Sequence, residues 1–288
     1  MPADVLGAMH AIARERNCSL KEYAGSYRIR VNSVGAALEY YIKDALSGAF
    51  YSNEASREKA YSRSFAWLGN LNNPPDLIAR GGDAFEIKKL ETPRNAIALN
   101  SSPPKDVLHR DDSRITGACR NSDGGNWSQK DIFYAIGWVN DSIIRSLYFV
   151  QGSCYAASRE VYERVSSRLS EHVESAILSS GLEAGKTDEL GRINRVDPLG
   201  ITSLRVRGMW QIENPSRVFQ GIAELDPKMT FQAFAIMKWG KYQQMLESPR
   251  QHDLFDDDSK IKIKKTGVPD PNNPAEAIEV ALLEVSWQ

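Results

Sequence analysis

The sequence predicts an α/β (α+β) fold in which helices flank a mixed central β-sheet. Helix-spaced apolar residues come first, strand-like segments follow, and another helix succeeds them. The segment DIFYAIGWV at residues 131–139 is apolar throughout, which is typical of a strand buried on both faces. With 288 residues and 42% hydrophobic content, the chain can bury one large core, and we expect a single domain over residues 1–288.

Apolar residues at helical spacing predict the helices. The first covers residues 3–16, and the second runs from about Ser33, a suitable cap, to Ser47. A more polar helix is predicted over 53–68. Further helices are predicted from Ser158 to about Leu178 and over 229–246.

Strands are predicted between these helices. Pro74-Pro75 interrupts any helix, and strands at 76–79 and 84–90 follow, joined by a turn at Gly81-Gly82. A second strand pair is expected at 131–139 and 145–151. Two later strands are expected at 204–210 and 277–285. Residues 92–129 and 181–200 are polar and are interpreted as loops.

Composition limits the classes of function. The formal net charge is −1, so any surface for a polyanion has to be local. Three widely spaced cysteines without a CxxC pair indicate a reducing compartment, and we expect a cytoplasmic protein. The sequence contains no apolar run of about 18 residues, so no membrane span is predicted. The sequence contains no Walker-type or GxGxxG loop, which argues against ATP hydrolysis or a dinucleotide cofactor.

Asp76, Glu86 and Lys88 form the most informative constellation. Glu86 and Lys88 lie two residues apart on one strand and therefore face the same side, and the Gly81-Gly82 turn can bring Asp76 close to Glu86. Two converging carboxylates suit a hard divalent cation, and we expect Mg²⁺, with Mn²⁺ able to substitute. Such a cation would activate water for attack on a phosphodiester, while Lys88 orients the water and offsets developing charge.

The bare pattern also fits an exposed charge cluster on a strand edge. Its position across a tight turn, with a helix before it and an apolar strand after it, favours a catalytic site and resembles the core of the PD-(D/E)xK nuclease superfamily. In many of these nucleases a helix residue adds to the metal site, and Glu39 is the candidate here. The alternative for Glu39 is an ion pair with Lys43 one turn later.

Several long phrases extend the resemblance to the NgoPII family of type II restriction endonucleases. They lie between about residues 30 and 220: NSVGAALEYYIKD, LGNLNNPPDLIARGGDAFEIKK, ALNSSPPK, ITGACRN and RVDPLGITSLRVRGMWQIENP. The resemblance implies a PD-(D/E)xK restriction-endonuclease-like core that cuts double-stranded DNA at a short GC-rich palindrome, GGCC, and a cognate methyltransferase in the same system. It suggests a catalytic core at 30–180 and a region for DNA recognition and dimerisation at 181–288.

Arginine is the residue best suited to read the guanines of such a site, because its guanidinium can donate two hydrogen bonds to O6 and N7. In SLRVRGM, Arg205 and Arg207 alternate with apolar residues and would share one face of a strand. Arg192, Arg195 and Asn194 are expected to assist or to contact phosphates. The alternative is that this segment is only the polar outer face of an edge strand.

Three functions remain open on the sequence. The first is a sequence-specific restriction endonuclease, expected to be a homodimer because a palindrome matches two-fold symmetry. The second is a repair or recombination nuclease of the same fold that recognises DNA structure. The third is a non-catalytic DNA-binding protein, against which the intact Asp76, Glu86 and Lys88 argue.

Overall fold

The computed structural model describes residues 3–21, 23, 34–70, 73–247 and 260–288. The chain divides into two compact units. The first comprises Met1–Ile97, Asp106–Ala156 and Glu213–Gln288, and the second comprises Ala98–Lys105 and Ala157–Ile212.

The elements are numbered here in chain order. The helices are α1 (Val5–Glu15), α2 (Val34–Ser47), α3 (Glu54–Ser64), α4 (Gly117–Arg120), α5 (Arg159–Ser179), α6 (Pro215–Val218) and α7 (Trp239–Leu246). The strands are β1 (Phe65–Asn70), β2 (Asn73–Ala79), β3 (Ala84–Leu90), β4 (Ile97–Asn100), β5 (Val107–His109), β6 (Gln129–Asn140), β7 (Ile143–Gln151), β8 (Glu183–Ala184), β9 (Gly191–Asn194), β10 (Leu204–Val206), β11 (Trp210–Ile212), β12 (Phe231–Lys238), β13 (Lys262–Asp270) and β14 (Asn273–Trp287).

A mixed sheet forms the centre of the first unit. Its strands run in the order β1-β2-β3-β6-β7-β12-β14-β13, and β5 pairs with β6. The pairs β3–β6 and β7–β12 are parallel, whereas β2–β3 and β6–β7 are antiparallel. This sheet with its flanking helices confirms the predicted fold class.

Helices α1 and α2 cover one face of that sheet. Their apolar residues join one buried cluster with residues from the central strands, including Phe85, Phe133 and Phe149. Gly137 in β6 allows α2 to pack closely, because a Cβ atom there would lie 2.8 Å from Cδ2 of Leu38. This helix packing fixes which face of β2 and β3 is buried.

The opposite face of the sheet is also largely apolar near its centre. The rings of Tyr148 and Phe234 stack with centroids 5.0 Å apart. The Tyr148 hydroxyl donates a hydrogen bond to the carbonyl oxygen of Ala223 at 3.1 Å, so the segment before β12 packs onto this face.

The N-terminal helices agree with the sequence, with one correction. The prediction for residues 3–16 is confirmed by α1, where Asp4 caps the helix by accepting from the Gly7 amide at 2.8 Å. The second predicted helix is α2, although its expected cap Ser33 lies outside the described residues. The helix predicted over 53–68 ends at Ser64, and the chain continues as β1 because Phe65 and its neighbours pair with β2.

The strand predictions at 76–79, 84–90, 131–139 and 145–151 are confirmed by β2, β3, β6 and β7. The helix predicted over 229–246 is wrong in its first half, where β12 lies. Seven of the eight residues of β12 are buried, so this strand lacks the polar alternation that would have identified it. The strand predicted at 277–285 is part of β14, whose partner β13 was missed because its exposed lysines suggest a solvated segment.

The second unit consists of α5 and short strands. Helix α5 confirms the prediction of a helix after Ser158. Strands β8, β9 and β10 form a small antiparallel sheet in the order β10-β9-β8, within and just after residues that were predicted to be loop. The strand predicted at 204–210 is interrupted after Val206 and resumes as β11, which pairs with β4.

None of the helices in the described ranges is both long and apolar enough to cross a membrane.

Candidate active site

Strands β2 and β3 bring Asp76 and Glu86 together. The antiparallel pairs Ile78–Ala84 and Leu77–Phe85 place Asp76 and Glu86 at the next position along the hairpin. The backbone N–H of Ile87 donates to Oδ2 of Asp76 at 2.5 Å. Ile87 packs against the helix-covered core, so Glu86 and Lys88 face the opposite side of the sheet, as their two-residue spacing predicts.

Lys88 and Glu86 form an ion pair on that side. Nζ of Lys88 lies 2.7 Å from Oε1 of Glu86, and their side chains are only 25% and 15% exposed. The second oxygen of Glu86, Oε2, is buried and has no hydrogen-bond partner among the described residues. A buried carboxylate oxygen without a donor is costly, so this atom is suited to a positive ligand.

Burial and the charge of Glu86 raise the pKa of Asp76 from 3.8 to about 7, against the lowering effects of Lys88 and the Ile87 N–H. Burial alone would lower the pKa of Lys88, but the carboxylates of Glu86 and Asp76 outweigh it and raise that pKa. The pair of carboxylates therefore carries excess negative potential that a single lysine does not neutralise.

Glu39 on α2 has an ion-pair partner near this cluster. Its Oε1 lies 2.5 Å from Nζ of Lys43, which is the alternative foreseen from the sequence. The charge of Glu39 also contributes to raising the pKa of both Asp76 and Lys88, so Glu39 lies within electrostatic range of them. Within the described ranges, no three His, Cys, Asp or Glu side chains are already gathered as a metal-binding group. The role of Glu39 as a metal ligand stays a prediction.

Gly69 in β1 supports the backbone that carries Asp76. A Cβ atom at this position would lie 2.4 Å from the carbonyl oxygen of Pro75 and 2.8 Å from that of Asp76. Only glycine permits so close an approach of the two strands. The helix predicted over 53–68 gave no indication of this role for Gly69.

The predicted DNA-reading residues lie in the second unit. Arg205 donates from Nε and Nη2 to the two carboxylate oxygens of Glu189, at 2.8 and 2.6 Å. Arg207 donates from Nε to the same carboxylate. The structure thus brings these two arginines together through Glu189, which lies within the predicted loop at 181–200 and has no predicted role.

The three predicted helper residues are arranged differently. Arg192 lies directly across from Arg205 in the β9–β10 pair, and its Nε donates to Oδ1 of Asn194 at 3.1 Å. Arg195 follows β9 with a left-handed backbone conformation (φ 50°), and its side chain lies against Gly200. Arg192 and Asn194 therefore belong to the small sheet, whereas Arg195 belongs to the loop beyond it.

Comparison with known proteins shows extensive similarity to one family. The family described as NgoPII restriction endonuclease matches residues 3–269. The type II restriction enzyme NgoPII from Neisseria gonorrhoeae is 41% identical over 247 residues, which cover 85% of this chain and 86% of that relative. No solved structure gives a significant match.

Proposed function

The chain belongs to the NgoPII restriction endonuclease family, and from this membership we propose that it cleaves double-stranded DNA at GGCC by cation-dependent hydrolysis at Asp76, Glu86 and Lys88. The family assignment itself makes the protein a type II restriction endonuclease, a site-specific deoxyribonuclease. It decides among the three functions left open by the sequence in favour of the first.

The observation that best supports this site is Oε2 of Glu86, beside Asp76, which has no hydrogen-bond partner in the part of the chain that the structure describes. Both side chains offer carboxylate oxygens, the donors that Mg²⁺ prefers, and Mg²⁺ is commonly held by one or two carboxylates with water completing its shell. Burial and the charge of Glu86 raise the pKa of Asp76, and a bound divalent cation would oppose both effects by stabilising the ionised carboxylate. Asp76 and Glu86 would therefore hold Mg²⁺, or Mn²⁺ in its place, and Glu39 would join them if it left Lys43.

A bound Mg²⁺ would supply a water of lowered pKa and stabilise negative charge on the phosphate and the leaving oxygen. The Ile87 N–H keeps the Asp76 carboxylate in a fixed orientation. Glu86 holds the ammonium group of Lys88 on the same face as both carboxylates. From that position Lys88 would orient the attacking water and offset the charge that develops on the phosphate in the transition state.

The assignment is tested by replacing Glu86 with glutamine, which keeps the shape and removes the charge. Glu86→Gln should reduce Mg²⁺-dependent cleavage of plasmid DNA by at least about a hundredfold, because an essential oxygen ligand is lost, while duplex binding is retained. Glu91→Gln is the matched control, since Glu91 is a highly exposed glutamate just beyond the end of β3. Full activity of Glu86→Gln, or equal loss in both variants, would refute the site.

For sequence readout, Arg205 and Arg207 would donate hydrogen bonds to the guanines, and Arg192, Arg195 and Asn194 would make further DNA contacts. The side chains of Arg205 and Arg207 are both more than half exposed, and both guanidinium groups contact the carboxylate of Glu189. The GGCC site has two guanines in each half-site, and two arginines per subunit would match them.

A palindromic site is read most simply by two identical subunits, so the proposed active form is a homodimer. The same proposal places the enzyme in the cytoplasm with the chromosome. It also requires a cognate DNA methyltransferase there to protect host sites.

A further inference from the structure

We propose that Glu189 is a positioning residue for base recognition, which aligns Arg205 and Arg207 and limits their attraction to DNA of any sequence. This inference rests on the proposed role of the two arginines in reading guanine. It is carried by the contacts of one carboxylate with both guanidinium groups.

The geometry leaves the outer ends of both arginines available. Glu189 takes the Nε–H and one Nη2–H of Arg205, and the Nε–H of Arg207. Within the part of the chain that the structure describes, the Nη1 and Nη2 groups at the end of each guanidinium keep donors that Glu189 does not use. That end can donate two parallel hydrogen bonds to O6 and N7 of a guanine.

The exposure of the three side chains fits this arrangement. Glu189 is 14% exposed, whereas Arg205 and Arg207 are 55% and 59% exposed, so the carboxylate lies beneath two projecting cations. The backbone of Glu189 is itself held, because its N–H donates to Oγ1 of Thr187 at 3.1 Å. A fixed carboxylate already restricts both arginine side chains, so each loses less conformational entropy when it binds a base.

Charge gives Glu189 a second effect on recognition. Two arginines without it would present two adjacent positive charges, which attract phosphates irrespective of sequence. With Glu189 the cluster carries one net positive charge, and the hydrogen bonds from Arg205 and Arg207 lower the pKa of Glu189, so it stays ionised at neutral pH. Removal of this charge should therefore strengthen non-specific binding and weaken discrimination together, which a purely structural residue would not do.

The test compares the full-length wild-type enzyme with Glu189→Gln and Glu189→Asp. The substrates are a duplex containing GGCC and duplexes in which one guanine is replaced. Because a good bidentate contact corresponds to roughly 5- to 150-fold discrimination, we expect Glu189→Gln to lower the cognate-to-altered ratio of kcat/KM by about tenfold. Its affinity for a duplex without the site should rise at low salt. Glu189→Asp keeps the charge but shortens the reach, so it should lose discrimination without the gain in non-specific affinity.

Two sets of controls separate the possible results. Glu174→Gln removes an exposed carboxylate from α5 of the same unit and should change neither quantity. Arg205→Ala and Arg207→Ala should lose discrimination. If both arginine variants lose discrimination and Glu189→Gln keeps it, the positioning role of Glu189 is wrong and the readout role of the arginines stands. If neither arginine variant affects discrimination, the proposed readout itself fails. A uniform loss of activity on all duplexes, with a lowered unfolding temperature, would also overturn the role of Glu189.

Discussion

At the scale of single residues, the proton on Asp76 opposes the cation that the site is proposed to hold. Burial and Glu86 raise the pKa of Asp76 to about 7, whereas a carboxyl group in the unfolded chain titrates near 4. Ionisation of Asp76 in the folded, metal-free protein therefore costs free energy. A bound cation would stabilise the ionised carboxylate and offset this cost, so metal affinity depends on pH.

The raised pKa of Asp76 predicts how the stability of the metal-free protein depends on pH. The folded-state pKa is the higher one, so the contribution of Asp76 is fully present below about pH 4 and is lost as pH rises through about 7. Between pH 5 and pH 8, the wild-type protein should lose about 3 kcal/mol of unfolding free energy relative to Asp76→Asn. Urea denaturation of both proteins in the presence of a chelator measures this difference.

Glu91→Gln provides the reference for this experiment, because its side chain is highly exposed and its substitution should leave the pH profile parallel to that of the wild type. Parallel profiles for Asp76→Asn as well would show that Asp76 titrates normally, and the raised pKa would be wrong.

At the scale of elements, the site depends on how closely β1 approaches β2. Gly69→Ala would place a methyl group 2.4 Å from the carbonyl oxygen of Pro75, so β1 has to move or β2 has to shift with Asp76. We expect a loss of about 1–3 kcal/mol in stability and at least a tenfold loss of kcat. Denaturation and cleavage assays on the same preparation measure the two effects.

Gly267→Ala in β13 is the matched control, because among the described residues a Cβ atom there would meet only Cβ of Ala277, at an ordinary 3.8 Å. It should leave activity unchanged. Equal behaviour of the two variants would contradict the proposed support of Asp76 by Gly69.

The elements also show why some of the fold could be predicted from the sequence and some could not. Local signals sufficed for β2 and β3, where a two-glycine turn separates two short segments that mix apolar and charged residues, and these strands contain the predicted site. They failed for β12, since a strand buried on both faces shows no alternation. They also failed for Glu189, because its importance comes from contacts with Arg205 and Arg207, which are 16 and 18 residues away in the chain.

At the scale of the whole molecule, the family membership defines the class of reaction, while the number of subunits remains a proposal. If the enzyme acts as a homodimer on a palindrome, each subunit should cut one strand. Mixed dimers of wild-type and Asp76→Asn subunits should then nick supercoiled plasmid at cognate sites and not linearise it. Wild-type and variant chains with different tags allow the mixed species to be purified. Double-strand cleavage by the mixed dimer, or a monomeric mass in sedimentation, would contradict the dimer.

The proposed function is tested most directly by mapping the ends produced by plasmid digestion with wild-type and Asp76→Asn protein, each with Mg²⁺ and with a chelator. We expect discrete wild-type fragments whose ends all fall at GGCC, only in the presence of Mg²⁺, and no cleavage by Asp76→Asn. Cleavage that persists in the chelator, ends scattered over unrelated sequences, or the same fragments from Asp76→Asn would contradict the proposed function.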